Sequence, residues 1–215
     1  MRILVVGADT VTGRHLIKYI LESGHQARAI LHNSVQAAYF QTLGVESFHL
    51  SEKPKMKELV NAAKDVEAIC LIGSFLRTEK EPYIRIDEMI RYLELFNYVG
   101  VKRFVHMSTF ESRKFLWNTQ PAIFRSTIIE NYYIDRWLKT SNVDFTILHP
   151  GTLIDQQGTG FVTISEHEIN NRHIPREDVA KAMLMCLEND ATIGKEFKIT
   201  SGKTTIAEAL TFYNK

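Results

Sequence analysis

A glycine-containing turn near the amino terminus is the first feature of the sequence with a recognisable chemistry. Residues 7–16 read GADTVTGRHL and stand between an apolar run and a segment with helical spacing. In dinucleotide-binding folds such a turn lets the backbone bend sharply, and the following helix offers free N–H groups to a pyrophosphate. Thr10 stands where that pattern has its middle glycine, and its hydroxyl is a candidate donor to phosphate. The turn predicts a dinucleotide site, and a turn that binds nothing is the alternative.

The residues after the second apolar run bear on the choice of dinucleotide. NAD-specific folds place an Asp or Glu about 20 residues beyond the turn, where it binds the ribose hydroxyls. Here residues 29–34 read AILHNS and contain no acid. Arg14, Arg28 and His32 would instead offer donors or positive charge to a 2′-phosphate. We therefore expect NADP(H) to be preferred over NAD(H), with His32 as a plain exposed loop residue as the alternative.

These residues need a scaffold, and the hydrophobic pattern predicts one. Segments with helical spacing separate short runs rich in Val, Ile and Phe, at residues 3–6, 27–31, 45–48, 68–72, 103–107 and 145–148. The tail adds a helix led by Pro175 and Asp178, a strand over residues 196–200, and a short helix from Thr205. Strands that alternate with helices pair in parallel through crossovers. The sequence predicts an α/β fold, a Rossmann-like doubly wound and mainly parallel sheet with helices on both faces, as one domain over residues 1–215.

Composition excludes several classes of protein. Hydrophobic residues make up 45% and charged residues 24%, and 26 basic residues against 25 acidic ones argue against a general nucleic-acid binder. The first apolar run is too short for a signal peptide or a membrane span, so we expect a cytoplasmic protein without a membrane partner. Cys70 and Cys186 lie in apolar segments and are predicted to be buried, reduced thiols. Residues 166–168 and His173 lack metal-ligand spacing, so no metal site is expected.

Several longer segments carry a resemblance to a known family. Besides the turn, they are residues 100–109 (GVKRFVHMST), 143–151 (VDFTILHPG), 174–180 (IPREDVA) and 197–202 (FKITSG). With these motifs the chain resembles, from about residue 1 to residue 210, the NmrA-like, NAD(P)H-binding branch of the atypical short-chain dehydrogenases. It is most similar to small bacterial oxidoreductases with a sugar-epimerase-like description. The resemblance implies a sheet of about seven strands with the cofactor over their carboxyl ends.

By position, the resemblance also implies a set of cofactor-binding residues. The pyrophosphate would lie against Gly7, Thr10, Val11, Thr12 and Gly13. The adenosine would lie near His32 on its ribose side and near Ile72 and Gly73 on its adenine side. The nicotinamide would lie near Ser108 and Thr109, with Pro150, Gly151 and Thr152 closing over it. His32 and His149 stand where many relatives have Arg, and Ser51 stands where many have Asp, which predicts weaker binding.

The usual catalytic pair of the wider superfamily is missing from the sequence. That pair is a Tyr and a Lys one helical turn apart before the sixth strand, where the phenol exchanges a proton during hydride transfer. The expected positions hold Ile128 and Asn131, which cannot perform this chemistry. One turn later Tyr132 and Arg136 have a similar spacing, but an Arg that stays protonated cannot relay a proton. Tyr132 is a candidate catalytic residue, and packing or pocket lining is the alternative.

Three functions follow as hypotheses. The first is an NADP(H)-dependent oxidoreductase that reduces a small carbonyl, quinone-like or conjugated acceptor, with the proton coming from solvent or Ser108. The second is a non-catalytic NADP(H)-binding redox sensor that acts through a protein partner. The third is a fold that has lost dinucleotide binding, and a homo-oligomer is compatible with all three. The apolar and basic stretch 110–121 is predicted to be a lid or docking surface, or a loop packed on the core or on a second subunit.

Overall fold

In the computed structural model, the described residues are 1–31, 34–49, 55–72, 86–110, 117–118, 122–167, 169–170 and 172–211, without the side chains of residues 87, 88 and 122–124. They form eleven strands and seven helices. The strands are β1 (Arg2–Val6), β2 (Gln26–Leu31), β3 (Glu46–His49), β4 (Ala68–Ile72), β5 (Arg103–Met107), β6 (Asp144–Pro150), β7 (Thr152–Ile154), β8 (Phe161–Ser165), β9 (His173–Pro175), β10 (Lys195–Ser201) and β11 (Thr204–Thr205). The helices are α1 (Val11–Glu22), α2 (Ala37–Thr42), α3 (Met56–Ala63), α4 (Ile86–Tyr98), α5 (Ala122–Thr140), α6 (Arg176–Leu187) and α7 (Ile206–Thr211).

Nine of these strands form one sheet in the order β11-β8-β10-β6-β5-β4-β1-β2-β3. The seven strands from β10 to β3 are parallel, whereas β8 pairs antiparallel with β10 and β11 pairs antiparallel with β8. This confirms the predicted doubly wound, mainly parallel fold. The sheet has nine strands where the resemblance implied about seven, because the antiparallel β8 and β11 extend it beyond β10. Short, half-exposed strands at a sheet edge give a weak hydrophobic signal.

The order of the strands creates a crevice at the carboxyl end of β1. The chain passes from β1 to β2 and β3 on one side and then crosses to β4 on the other side. Helices that follow neighbouring strands therefore diverge onto opposite faces at this point. Ligands of open α/β sheets bind in such a crevice.

Both faces of the sheet are covered by helices. One apolar cluster joins α1 and α6, with Leu16, Ile20 and Met183 among its buried side chains. The other cluster joins α3, α4 and α5 on the opposite face. Along β1, alternate residues belong to different clusters, Ile3 to the first and Leu4 to the second. Strands buried on both faces are read in sequence as continuous apolar runs, which is why β1 and β4 were predictable.

A long-range contact joins the first and sixth helices. Tyr19 on α1 donates its hydroxyl proton to Glu177 Oε1 on α6 at 2.9 Å, across 158 residues of sequence. The second oxygen of Glu177 accepts from the Gly158 N–H at 2.8 Å. Glu177 therefore fastens both α1 and the loop before β8 to the start of α6.

Two further sequence predictions concern the cysteines and the membrane. Cys70 and Cys186 are buried and free, as predicted. Burial raises the pKa of both thiols, that of Cys186 to about 12, so both stay protonated at neutral pH. Among the helices described, none is long and apolar enough to cross a membrane.

Candidate functional site

The turn after β1 is closed by the side chain of Thr10. Gly7 has a positive φ of 81°, which glycine adopts without strain. Thr10 is the N-cap of α1, and its Oγ1 accepts from the Gly13 N–H at 3.0 Å and donates to the Gly7 carbonyl at 2.8 Å. The only hydroxyl proton of Thr10 is thus used within the turn. The side chain shapes the turn and does not offer a donor to a ligand.

Free N–H groups are nevertheless present at this helix end. Among the described residues, nothing accepts a hydrogen bond from the backbone N–H groups of Val11 and Thr12. The first N–H groups of a helix have no partner within the helix and favour an anion. A small cleft of about 340 Å³ lies against Val11 and is also lined by Ile154 and Arg176. The first turn of α1 therefore has the properties of a phosphate site.

Gly13 is required where α1 passes over the turn. A Cβ built at this position would lie 2.7 Å from Ala8 Cα and closer still to the Gly7 carbonyl oxygen. Real Cβ atoms do not approach backbone atoms so closely, so only glycine allows this crossing. The last glycine of the sequence pattern is therefore explained by packing between helix and strand.

The adenosine side of the predicted site contains one of the three basic residues named from sequence. Arg14 donates to the Asp9 carbonyl and to Gln36 Oε1, each at 3.0 Å, and so lies beside the segment that follows β2. Arg28 is instead paired with Glu46 at 2.8 Å and donates to carbonyls at the end of α3, such as that of Asn61. The expectation that Arg28 faces this site is wrong. His32 lies outside the described residues.

A buried polar cluster stands at the opposite end of the crevice, beyond β5. Ser108 donates its hydroxyl proton to Asp135 Oδ2 on α5 at 2.8 Å. His106, fully buried on β5, has its Nε2 3.5 Å from Asp135 Oδ1. We call Ser108, Asp135 and His106 the buried polar cluster. The sequence motifs point to Ser108 but not to His106 on β5 or Asp135 on α5. These two residues are 29 positions apart in the sequence (135 − 106).

The charge state of His106 follows from its surroundings. Burial lowers the pKa of its imidazole, and the nearby Asp135 opposes that effect only in part. The ring is therefore neutral at pH 7, so its 3.5 Å contact with Asp135 is not an ion pair. Asp135 and Ser108 are 2% and 4% exposed, which leaves their hydrogen bond shielded from water.

The positions of α5 at which the Tyr and Lys pair was expected hold Ile128 and Asn131. Ile128 is buried, and Asn131 donates its amide to the Thr127 carbonyl of its own helix at 2.8 Å. Tyr132 is half-buried, and its ring packs edge-on against Trp117 and Tyr133, with centroids 5.3 Å apart in both pairs. Within the part of the chain that is described, no group hydrogen-bonds to its phenol. Tyr132 thus packs against aromatic neighbours.

The segment after β6 is held tightly at the edge of the sheet. Pro150 ends β6, and the N–H of Gly151 donates to the Ile199 carbonyl at 2.9 Å. Thr152 donates its N–H to the Arg172 carbonyl, which passes so close to Gly151 that a Cβ there would collide with it. The backbone of these residues is therefore fixed beside β10. On the other side of the crevice Ile72 ends β4 and is buried, whereas Gly73 lies outside the described residues.

His149 connects this edge to the residue after Ser108. Its Nδ1 lies 2.7 Å from the Thr109 carbonyl oxygen and its Nε2 lies 3.6 Å from Glu196. Burial opposes a charge on the ring, but the carboxylate of Glu196, the charge of Asp135 and the Thr109 carbonyl together raise the pKa of His149 above its ordinary value. The contacts with His149 and with Lys139, 2.8 Å away, in turn lower the pKa of Glu196 to about 2.

A large cleft opens beside α5. It has a volume of about 1300 Å³ and lies between the second half of α5, the end of β6 and the start of β10. Tyr132, Asp135 and Arg136 line it from the helix, and Glu166 and His167 line it from the segment after β8. We call it the α5 cleft. Because Asp135 is part of its wall, the α5 cleft reaches the buried polar cluster.

The stretch predicted to be a lid is described only in part. Residues 111–116 and 119–121 lie outside the described residues, as does Glu168. Phe110 lines the α5 cleft, and Trp117 packs on Tyr132. Among the described residues, no group of His, Cys, Asp or Glu is arranged to hold a metal ion.

A parallel sheet that reverses its order at β1, with a glycine turn and a free helix end in the crevice, defines a Rossmann-type dinucleotide-binding protein. The model of the NAD(P)H-binding family matches residues 7–190, and the chain belongs to that family. This confirms the resemblance to the NAD(P)H-binding, atypical short-chain dehydrogenases that its motifs indicate.

Proteins similar over nearly their whole length are known from bacteria and yeast. The uncharacterized sugar epimerase YhfK of Bacillus subtilis is 27% identical over 215 residues, which cover 98% of this chain and 99% of that protein. The UPF0659 protein YMR090W of Saccharomyces cerevisiae is 31% identical over 215 residues, with 94% of each chain covered. The chain is therefore similar to these proteins from end to end.

Solved structures share the fold at lower identity. The oxidoreductase ylbE from Lactococcus lactis has a TM-score of 0.80 at 24% identity, with 99% of this chain and 96% of that one covered. ChuY, an anaerobillin reductase from Escherichia coli O157:H7, has a TM-score of 0.78 at 18% identity, covering 94% and 97%. A short-chain dehydrogenase/reductase from Veillonella parvula in complex with NADP has a TM-score of 0.73 at 15% identity, covering 95% and 96%.

Proposed function

We propose that this protein is an NADP(H)-dependent oxidoreductase that reduces a small carbonyl, quinone-like or conjugated acceptor. The observation that carries the proposal is the buried hydrogen bond between Ser108 and Asp135 at the end of β5. It provides an exchangeable proton at the end of the crevice opposite the phosphate site. The similar fold of the oxidoreductase ylbE and of the anaerobillin reductase ChuY supports the same class of reaction.

The distance between the Gly7 turn and Ser108 suits one dinucleotide. In register, Val6 lies opposite Leu71, and Leu71 lies opposite His106. Neighbouring strands are about 4.8 Å apart, so the Gly7 turn and Ser108 stand roughly 10 Å apart along the edge of the sheet. A dinucleotide with its pyrophosphate at α1 would extend across β4 and bring its nicotinamide to Ser108. The tightly held backbone of residues 150–152 would cover the ring from the side of β6.

The preference for NADP(H) rests on Arg14. Its guanidinium lies beside Gln36, next to the segment after β2, and residues 29–36 contain no acid. A 2′-phosphate would meet a positive charge there and no repelling carboxylate. The similar fold of the Veillonella parvula enzyme holds NADP, which is compatible with this assignment.

When bound, the reduced nicotinamide supplies a hydride to the acceptor. The proton comes from this chain: Ser108 donates its hydroxyl proton to the acceptor oxygen, and water that replaces the reduced product returns a proton to the serine oxygen. Asp135 accepts the hydrogen bond of the Ser108 hydroxyl and so fixes the position of that hydroxyl. The hydride and the proton together complete a two-electron reduction. In this proposal Ser108 is the catalytic residue and Asp135 is a positioning residue that acts through it, whereas Tyr132 lines the acceptor site.

Consumption of NADPH across a panel of aldehydes, quinones and conjugated ketones tests the proposal. Turnover of one acceptor class is expected, and Ser108→Ala should lower kcat about a hundredfold because it removes the proton donor. Ser23→Ala, an exposed serine at the end of α1, serves as the control and should leave kcat unchanged. NADPH that binds and is not consumed by any member of the panel would contradict an oxidoreductase.

The alternative of a redox sensor is favoured by one observation. The positions of the usual catalytic pair hold a buried Ile128 and an Asn131 whose amide is bonded to its own helix. A sensor would retain the dinucleotide site and report its redox state to a protein partner. Affinity capture with the purified protein, saturated with NADP⁺ or with NADPH, tests this alternative. A partner retained in only one state supports a sensor, and identical captures argue against it.

A further inference from the structure

We propose that the α5 cleft binds an aromatic carboxylate, a flat apolar ligand with an anionic group at one end. The role of that ligand as the acceptor rests on the proposed function, but its binding does not. The inference comes from the charges and rings that line the cleft, and above all from two side chains one turn apart on α5.

The charges that line the α5 cleft leave a positive excess. Its basic residues are Arg136, Lys139, Lys195 and Lys198, and its acidic residues are Asp135, Glu166 and Glu196. Asp135 is bonded to Ser108, and Glu196 is paired with both Lys139 and His149. By formal charge, the described lining residues thus give four cations against three carboxylates, and two of those carboxylates already hold partners. An anion entering the cleft is therefore attracted by a small net positive charge.

Arg136 is the cation best suited to a carboxylate. Its guanidinium has no hydrogen-bond or ion-pair partner within the described part of the chain, and it lies on the exposed side of α5. The guanidinium fork matches the two oxygens of a carboxylate in a bidentate arrangement. Lys139, one turn further along, is occupied by Glu196 at 2.8 Å. The anionic end of the ligand therefore belongs beside Arg136.

Aromatic rings line the same cleft. Tyr132 precedes Arg136 by four residues on α5, so the two side chains are neighbours on one face of the helix. Phe110 supplies a second ring, with Lys198 Nζ 4.6 Å and Arg172 Cζ 5.6 Å from its centroid. A flat aromatic body on Tyr132 would thus place its carboxylate at Arg136. In sequence, Tyr132 and Arg136 resemble a displaced catalytic pair. In the proposed complex they bind the ligand instead.

The position of the α5 cleft would bring a bound ligand close to the buried polar cluster. Asp135, one residue before Arg136, lines the cleft and is bonded to Ser108. A ligand anchored at Arg136 and stacked on Tyr132 extends from there toward the residues after β5. Its reducible end would then reach the buried polar cluster, as the proposed function requires.

Binding of 1-naphthoate tests the inference, with the uncharged 1-naphthamide as its matched probe. Equilibrium dialysis is done on the full chain with and without NADP⁺. Naphthoate is expected to bind about tenfold more tightly than naphthamide, and high salt should remove most of that difference, because a carboxylate–guanidinium contact is worth about tenfold in affinity. Quenching of Trp117, which touches Tyr132, is measured in a Trp137→Phe background because the chain has two tryptophans.

Two variants identify the residues responsible. Arg136→Gln should reduce the affinity for naphthoate about tenfold and leave that for naphthamide unchanged. Lys57→Gln removes an exposed cation of α3 and is the control for net charge. Equal affinities for the two probes, no binding of either, or equal effects of the two variants would each overturn the inference. A calorimetric titration with NADPH runs in parallel: naphthoate binding without NADPH binding would sustain the cleft and contradict the oxidoreductase.

Discussion

At the scale of one residue, the hydrogen bonds of the Thr10 hydroxyl predict how substitutions of Thr10 change the free energy of unfolding. It joins the Gly7 carbonyl to the Gly13 N–H, so Thr10→Ala removes the cap of α1. Loss of an N-cap of this kind lowers the free energy of unfolding by about 1 kcal/mol. Thr10→Ser keeps the hydroxyl and should stay within about 0.5 kcal/mol of the natural protein. Urea denaturation measures both, and equal stabilities of the two variants would refute this role of the cap.

Glu196 gives a prediction for the effect of pH. Its close contacts with His149 and Lys139 lower its pKa from 4.5 to about 2, so this residue stabilises the fold above pH 4.5 and loses that effect as the pH falls toward 2. Glu196 is about half exposed, so solvent screening limits the gain to about 1 kcal/mol. Glu196→Gln should therefore be less stable than the natural protein at pH 6 and equally stable near pH 2.

Thermal or urea denaturation between pH 2 and pH 7 measures that difference. Glu94→Gln changes an exposed carboxylate of α4 and serves as the control. A stability gap between Glu196→Gln and the natural protein that is independent of pH would show that the paired carboxylate is not its source.

Single residues also show where sequence reasoning reached the site and where it stopped. The position of Ser108 directly after β5 was predictable because it follows an apolar run within a recognisable motif. Asp135 and His106 were not, because only the fold brings α5 against the end of β5. A signal was present: His106 interrupts an apolar strand, and Asp135 shares a helix face with the buried Leu138. Polar residues at buried positions of a hydrophobic pattern point to a polar network.

At the scale of elements, Arg103 ties β5 to β6 and to the end of α6. Its Nη2 donates to Thr146 Oγ1 at 2.8 Å, to the Cys186 carbonyl at 2.6 Å and to Thr192 Oγ1 at 3.1 Å. Arg103→Lys keeps the charge but cannot reproduce the fork, which leaves buried acceptors without donors. We expect it to lower the free energy of unfolding by about 3 kcal/mol.

Urea denaturation monitored by circular dichroism measures the effect of Arg103→Lys. Arg91→Lys, an exposed position of α4, is the matched control and should change stability by less than about 0.5 kcal/mol. A change at Arg103 as small as that at Arg91 would mean that the three acceptors find other donors.

The elements that sequence predicted share a physical property. The central parallel strands are buried on both faces, so their apolar runs are unbroken and easy to recognise. The strands that were missed, β7, β8, β9 and β11, have two to five residues and include exposed positions. These strands form because the backbone of neighbouring strands completes their hydrogen bonds. A local sequence pattern does not indicate such a partner when it is distant in the sequence.

For the whole molecule, the proposed preference for NADP(H) predicts a difference in thermal stability. A ligand at a hundred times its Kd stabilises the folded state by about 2.7 kcal/mol, which raises Tm by about 5–10 °C for a chain of this size. NADPH should produce this shift at lower concentration than NADH. Arg14→Ala should abolish the difference between the two, because its guanidinium lies beside the segment after β2. Equal shifts with NADPH and NADH for the natural protein would contradict the preference.

The bond between Tyr19 and Glu177 also bears on how the chain matures during synthesis. The two residues are separated by 158 positions, so at bacterial or eukaryotic rates of translation the ribosome needs roughly 10–30 s to deliver the partner of α1. Until then, Leu16 and Ile20 lack the helix that shields them in the finished protein. The apolar side of α1 is thus uncovered during this interval, which is the one in which a chaperone would matter most.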